Sequence, residues 1–215
     1  MVQARRPRPV RSVMFDFGGV ITTSPFEAFA RYEREHGLPA GFIRTVNATD
    51  PDTNAWARLE RGDLDIDGFA DAFEDEARRL GQRVDGRLVL SLLGGDVRPA
   101  MVEAVRCCSA QFATACLTNN FGAADQATPP EVASILALFD VVLESRTLGV
   151  RKPEARFYEL ACDAVGVHPE EVVFLDDLGI NLKPARTMGM RTIKVTDPAE
   201  ALAELAELTG LSLTG

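Results

Sequence analysis

The sequence predicts an α/β chain: a Rossmann-like, doubly wound parallel sheet of about five strands with an inserted helical cap. From residue 113 onward, apolar runs of strand length alternate with helix-length amphipathic segments. That order builds a parallel sheet with helices on both faces. The runs are near-continuous in Val, Ile and Leu rather than alternating with polar residues, the mark of strands buried on both sides. Between the first and second strands roughly 90 residues intervene, whereas a crossover needs only a dozen or more.

The first strand lies in RSVMFDF and ends on Asp16, with Gly18 and Gly19 just beyond. A carboxylate at the end of a buried strand is expensive unless something uses it, and glycines give the backbone room to turn. The stretch from Ile21 to Asp96 contains helix-like segments such as FEAFARYEREHG and DGFADAFEDEARRLG and no convincing strand. It reads as a helical insertion over 21–96, dividing a core made of 1–20 and 97–215. The helix in MVEAVRCCSAQ leads back to the second strand, ATACLTN. A helix through PEVASILALF, a strand in DVVLES and a helix in PEARFYELACDAVG follow. The chain then runs through EVVFLDD (strand), INLKPARTMG (helix), RTIKV (strand) and PAEALAELAEL (helix).

Composition narrows the partners. A net charge of −9 leaves no domain-wide basic surface for a nucleic-acid backbone. No apolar run approaches the roughly 20 residues that span a bilayer, so no membrane partner is expected. The basic start MVQARRPRPVR has no apolar region behind it and reads as a solvated tail rather than a secretory signal. Cys107, Cys108, Cys116 and Cys162 have no metal-site or disulfide spacing and fit small apolar residues in a reducing compartment. The expected location is cytoplasmic. The sequence sets no oligomeric state.

In open parallel sheets ligands sit outside the carboxyl ends of the strands. Those ends carry Asp16, then Thr118-Asn119-Asn120, Glu144-Ser145 and Asp176-Asp177. Clustered carboxylates without His or Cys call for a hard cation, and Mg²⁺ fits best. Lys152, in GVRKPEARF, is expected at the start of the helix after the third strand, with Pro153 opening that helix. A threonine hydroxyl, backbone N–H groups near Asn119, a lysine and Mg²⁺ make a site for a phosphoryl group, with Asp16 placed to attack phosphorus.

At these residues the chain resembles the haloacid dehalogenase-like hydrolases, in their capped form and over essentially its whole length. FDFGGV is similar to the family's first motif, LTNN to its second, GVRKPEARFYELA to its lysine motif and VVFLDDLGINLKPARTMGM to its acidic fourth. The fourth stretch is especially similar to the phosphatase domain of soluble epoxide hydrolases and the hydrolase domain fused to some acyl-CoA dehydrogenases. The resemblance implies Asp16 as nucleophile, Thr118 and Asn119 on the transferred group and Lys152 balancing its charge. It also implies Mg²⁺ held by Asp16, the Gly18 carbonyl, Asp176 and Asp177. The implied reaction is hydrolysis of a small phosphorylated metabolite through an aspartyl-phosphate.

One position departs from the family pattern: Gly18 stands where its phosphatases usually carry an acid/base aspartate, so a slow enzyme or one favouring good leaving groups is expected. A 2-haloacid dehalogenase is the alternative, since displacing halide needs no general acid, but the acidic pair Asp176-Asp177 argues for phosphate. A catalytically faded domain that binds a metabolite or protein is the third reading, opposed by the intact Asp16, Thr118, Lys152 and Asp177. Phe26, Asn54 and Trp56 are the substrate-facing candidates in the insertion, with Tyr32, Arg58 and Glu60 near them. Asp63 to Glu74 satisfies the residue pattern of an EF-hand calcium loop, although Leu64 and Ile66 are apolar where such loops are polar; a turn entering a helix reads equally well.

Overall fold

The computed structural model describes residues 8–119 and 128–213. Asn120 and the first seven residues of the basic start lie outside them. The sheet has five strands: β1 (Ser12–Phe15), β2 (Ala113–Thr118), β3 (Val141–Glu144), β4 (Val172–Asp176) and β5 (Arg191–Lys194). Their order is β3-β2-β1-β4-β5, every pairing parallel. The central β1 pairs Phe15 with Cys116 on one side and with Leu175 on the other. Strand order reverses about β1, so the carboxyl ends of β1, β2 and β4 open onto one crevice, as the sequence predicts.

Successive side chains of a strand point to opposite faces. Val13 and Phe15 of β1, with Val173 and Leu175 of β4, join one core cluster, while Met14, Val172 and Phe174 join the other. The first cluster is closed by Met101 and Val105 of the helix Pro99–Ser109 and by Leu202 and Leu205 of the helix Pro198–Thr209. The second is closed by Phe157, Tyr158 and Ala161 of the helix Ala155–Val165 and by Leu182 and Ala185 of the helix Gly179–Thr187. Phe15 is fully buried, and truncating such a phenylalanine to alanine costs about 3–5 kcal/mol.

Between β1 and the helix Pro99–Ser109 the chain forms five α-helices: α1 (Phe26–Glu35), α2 (Phe42–Ala48), α3 (Ala55–Glu60), α4 (Ile66–Arg79) and α5 (Gly86–Ser91). They enclose an apolar cluster of their own that includes Phe29, Ile43, Leu59, Phe69 and Phe73. Thr22 and Val97 form an antiparallel bridge where the chain leaves the sheet and returns. The sequence marked α1 and α4. It did not resolve α2, α3 and α5, because six or seven residues are too few turns to express a helical period. Their ends are fixed by specific groups. Buried Glu33 accepts hydrogen bonds from Gly41 N (2.7 Å) and Ile43 N (2.9 Å) at the start of α2. A helix N-terminus suits a carboxylate, because its first N–H groups have no partner within the helix.

Two expectations change here. Residues 66–79 are helical, Asp65 is the N-cap accepting from Gly68 N at 2.7 Å, and Asp63 pairs with Arg61 at 3.7 Å. The would-be calcium loop is therefore helix from its fourth position on, and the stretch is a helix entry. Pro153 does not open a helix: the helix begins at Ala155, with Glu154 as its N-cap. Lys152 lies in the preceding irregular segment and is 1% exposed.

Candidate active site

The predicted strand-end residues converge. Asp16 directly follows β1, Thr118 closes β2 in register with Glu144, and Asp176 closes β4. Lys152 joins them from the segment between the short helix Ser145–Leu148 and the helix Ala155–Val165. Its ammonium lies 2.8 Å from Asp16 Oδ1 and 2.9 Å from Asp176 Oδ2. Burial alone would lower the Lys152 pKa, but these two carboxylates outweigh it and hold the pKa above the ordinary value.

Negative charge remains in excess. Candidate ligand oxygens of Asp16, Asp176 and Asp177 all lie within 4.8 Å of one another, with no His or Cys in the cluster. Burial pushes the Asp16 carboxyl well up, against the pull of Lys152 and with the support of Asp176 and Asp177. Burial and then Asp176 push Asp177 up to about 6. One ammonium does not balance three carboxylates. An all-oxygen set with unmet negative charge fits a small hard cation.

The three carboxylates are not equivalent. Asp176 accepts from Lys152 Nζ, from Leu178 N (2.8 Å) and from Asn181 Nδ2 at both oxygens (3.1 and 3.0 Å). That occupies nearly all of a carboxylate's acceptor capacity. Asn181 is itself buried, with its carbonyl accepting from the Tyr158 hydroxyl at 2.7 Å. Asp177 lies over the glycine turn. A Cβ on Gly19 would fall 2.3 Å from Asp177 Oδ2, and Gly19 has φ +81°. Glycine is thus required there twice over, by conformation and by space. At Gly18, φ is −71° and a Cβ would meet nothing within 4 Å, so the missing side chain at that position is not a steric demand. Arg98 pins the turn by donating to Gly19 O at 2.6 Å.

The second loop is tied to both Lys152 and the helical unit. Asn119 Oδ1 accepts from Lys152 N (2.9 Å), and Asn119 Nδ2 donates to Lys152 O (3.0 Å) and to Glu60 Oε2 (3.2 Å). Glu60 ends α3, and its carboxylate also accepts from Arg151 Nε. Its backbone carbonyl accepts from Ser145 Oγ at 2.6 Å. Burial raises the Glu60 pKa, with Arg151 opposing. Beside Asp177 a cavity of about 340 Å³ opens, lined by Phe26, Arg44, Arg98 and Lys194 among others.

Of the three substrate-facing candidates in the insertion, only Phe26 lines this cavity. Asn54 caps α3, accepting from Ala57 N at 2.9 Å and donating to Asn47 O and Thr49 O. Trp56 is 7% exposed and packs edge-on against Phe69, with ring centroids 4.8 Å apart. Both serve the framework of the helical unit, since a cap amide and a large ring are already committed there. Sequence reasoning missed Asn181, Arg98 and Arg151 as members of the site. Asn181 follows Asp176 closely at a helix start, the one local signal for it. Arg151 directly precedes Lys152 in GVRKPEARF, and Arg98 is brought in by tertiary contact alone.

Comparison with known proteins agrees with this geometry. The family model described as haloacid dehalogenase-like hydrolase matches residues 10–210. Acyl-CoA dehydrogenase family member 10 of Mus musculus is 34% identical over 96% of this chain and 20% of its own length. Bifunctional epoxide hydrolase 2 of Sus scrofa is 30% identical over 95% of this chain and 40% of its own. The chain therefore spans a fifth to two-fifths of the length of these two relatives. The sesquiterpene phosphatase astK of Aspergillus oryzae is 25% identical over 93% of this chain and 97% of its own length. With its motifs gathered at one edge of a five-stranded parallel sheet, the chain belongs to the haloacid dehalogenase-like hydrolase family.

Proposed function

We propose that the protein is a Mg²⁺-dependent phosphatase acting on a small phosphorylated metabolite, with the helical unit at 21–96 as its cap. The observation that carries this reading is the Lys152 ammonium shared between Asp16 and Asp176, with Asp177 beside them and negative charge still in excess. Asp16, the Gly18 carbonyl and Asp177 would hold Mg²⁺, with Asp176 adjacent. When bound, the ion neutralises charge on the phosphoryl oxygens.

Asp16 attacks phosphorus through one carboxylate oxygen, the phosphorus–ester oxygen bond breaks, and the leaving group departs as its oxyanion, which takes a proton from solvent water. Water then cleaves the aspartyl-phosphate to inorganic phosphate and regenerates Asp16. The Thr118 hydroxyl and the backbone N–H groups around Asn119 would grip the transferred group, the Asn119 side chain being committed to Lys152 and Glu60, and Lys152 offsets its charge while staying protonated. Asp176 positions Lys152. No side chain at Gly18 can move a proton to the leaving oxygen, an assistance typically worth about 10²–10⁴ in rate. Substrates with good leaving groups, such as acyl- or sugar-1-phosphates, are favoured.

The test is phosphate release from p-nitrophenyl phosphate and acetyl phosphate, with Mg²⁺ or EDTA, for the native protein and Asp16→Asn. Release that needs Mg²⁺ and disappears in the variant is expected. Silence with both phosphates together with halide release from a 2-haloacid would replace this reading by a dehalogenase, for which the bare Gly18 is the favourable observation. Silence with all three would leave a binding domain.

A further inference from the structure

The cavity beside Asp177 reverses the charge of the molecule around it. The chain carries a net −9, yet among the described residues the charged ones lining this cavity are three cations, Arg44, Arg98 and Lys194, against the one carboxylate of Asp177. Arg98 is committed to the Gly19 carbonyl at 2.6 Å. Among the described residues, neither Arg44 nor Lys194 forms an ion pair with an acidic side chain. Arg44 comes from α2 of the helical unit, and its guanidinium lies 4.5 Å over the ring of Phe26, which lines the same cavity. Lys194 comes from the other side, at the end of β5.

A guanidinium resting on an aromatic face is held flat, with its donors directed outward in its own plane. That geometry suits a planar carboxylate, which it can meet with two parallel hydrogen bonds. Resting on the phosphatase reading of the adjacent cluster, we infer that the cavity selects phosphomonoesters bearing a second anionic group, a carboxylate, at the end remote from phosphorus. Arg44 and Lys194 hold that carboxylate, and Phe26 flanks the carbon skeleton. A cavity of about 340 Å³ suits a small bifunctional molecule rather than a long acyl chain. The arrangement also supplies a reason for an arginine on the helical unit to face the core: a substrate with two anionic ends bridges the two parts of the molecule.

The test uses matched ligands that cannot be hydrolysed, so that binding is read independently of turnover. Affinities of 4-carboxybenzylphosphonate and 4-carbamoylbenzylphosphonate are measured by calorimetry on the full chain, with Mg²⁺ present. The carboxylate is expected to bind about tenfold more tightly. Arg44→Gln should bring the ratio close to one, Lys194→Gln should reduce it by less, and Arg44→Lys should retain part of it. Equal affinities in the native protein, no binding of either ligand, or a ratio that survives Arg44→Gln would overturn the inference. Turnover of p-nitrophenyl phosphate and acetyl phosphate, whose leaving groups need no acid, separates the two claims. A preserved binding ratio without phosphate release from either would overturn the phosphatase reading and leave the anion subsite standing.

Discussion

Replacing Lys152 by methionine removes the one cation that the described residues bury among the three carboxylates, while keeping the side chain's bulk. In the native protein Nζ is 2.8 Å from Asp16 Oδ1 and 2.9 Å from Asp176 Oδ2, and the lysine is 1% exposed. At an effective dielectric constant of about 20, each contact is worth roughly 6 kcal/mol of Coulomb attraction. The cost of desolvating the ammonium and both carboxylates cancels most of that sum. What the substitution exposes is the penalty of leaving two buried carboxylates facing each other, and the expected loss of stability is about 3–5 kcal/mol. Urea denaturation in EDTA near neutral pH measures it. The loss should shrink in acid, where protonated carboxyls need no partner, and also on addition of Mg²⁺. In the double variant with Asp176→Asn, the combined loss should fall short of the sum of the two single losses by at least about 1 kcal/mol, because repulsion is relieved. A loss below about 1 kcal/mol for Lys152→Met, or strict additivity in the double variant, would refute the account of Lys152 as the charge at the centre of this cluster.

Other expectations follow from the same geometry. Gly18→Ala should be neutral or stabilising by about 0.4–1 kcal/mol, since its backbone is compatible with any residue and the space is open. Gly19→Ala, which drives a Cβ into Asp177 at positive φ, should cost about 2–5 kcal/mol; equal urea midpoints for the two would contradict the structure of the turn. Gly18→Asp places a carboxyl where a proton donor is missing and should raise kcat for an alkyl phosphate more than for acetyl phosphate, which needs no acid. Glu60→Ala removes the acceptor of Arg151 Nε and one of the two acceptors of Asn119 Nδ2 and should destabilise by about 1–3 kcal/mol, whereas Asp75→Ala, breaking an exposed pair with Arg78, should change stability little.

The pH dependence has a definite sign. Asp177 is raised from an ordinary 3.8 to about 6, so between those values the folded metal-free protein binds more protons than the unfolded chain. Its contribution to stability therefore declines as pH rises through that window and is level above it. Urea midpoints in EDTA across pH 4 to 7, compared with Asp177→Asn, isolate this contribution; an Asp177-dependent midpoint that rises with pH would show the sign to be wrong. Mg²⁺ binding, which requires the ionised carboxyl, should strengthen over the same range.

The sheet was legible because each strand declares itself locally. Continuous apolar runs such as VVFLD mean burial on both faces, and a carboxylate or threonine at their ends means a polar edge. From that alone Asp16, Thr118 and Asp176 fall at one rim, and Lys152 joined them through its motif. Local pattern did not reveal what each side chain is committed to. Asn54 and Trp56 looked like substrate contacts, yet a helix cap and an aromatic core claim them, because a small helical unit needs both to close. The two glycines after Asp16 read alike in sequence, and only the approach of Asp177 distinguishes the one that space forbids from the one that it leaves open. Asp63 to Glu74 carries ligand-type residues at loop spacing, but helix formation from Ile66 settles their geometry. The meeting of Glu60 with Asn119 and Arg151, and of Arg44 with Phe26 at the cavity that Asp177 also lines, joins residues distant along the chain or held on separate turns. Composition and periodicity act over a few residues and fix elements. Charge pairing and packing act through space, and they decide which polar groups remain to do chemistry.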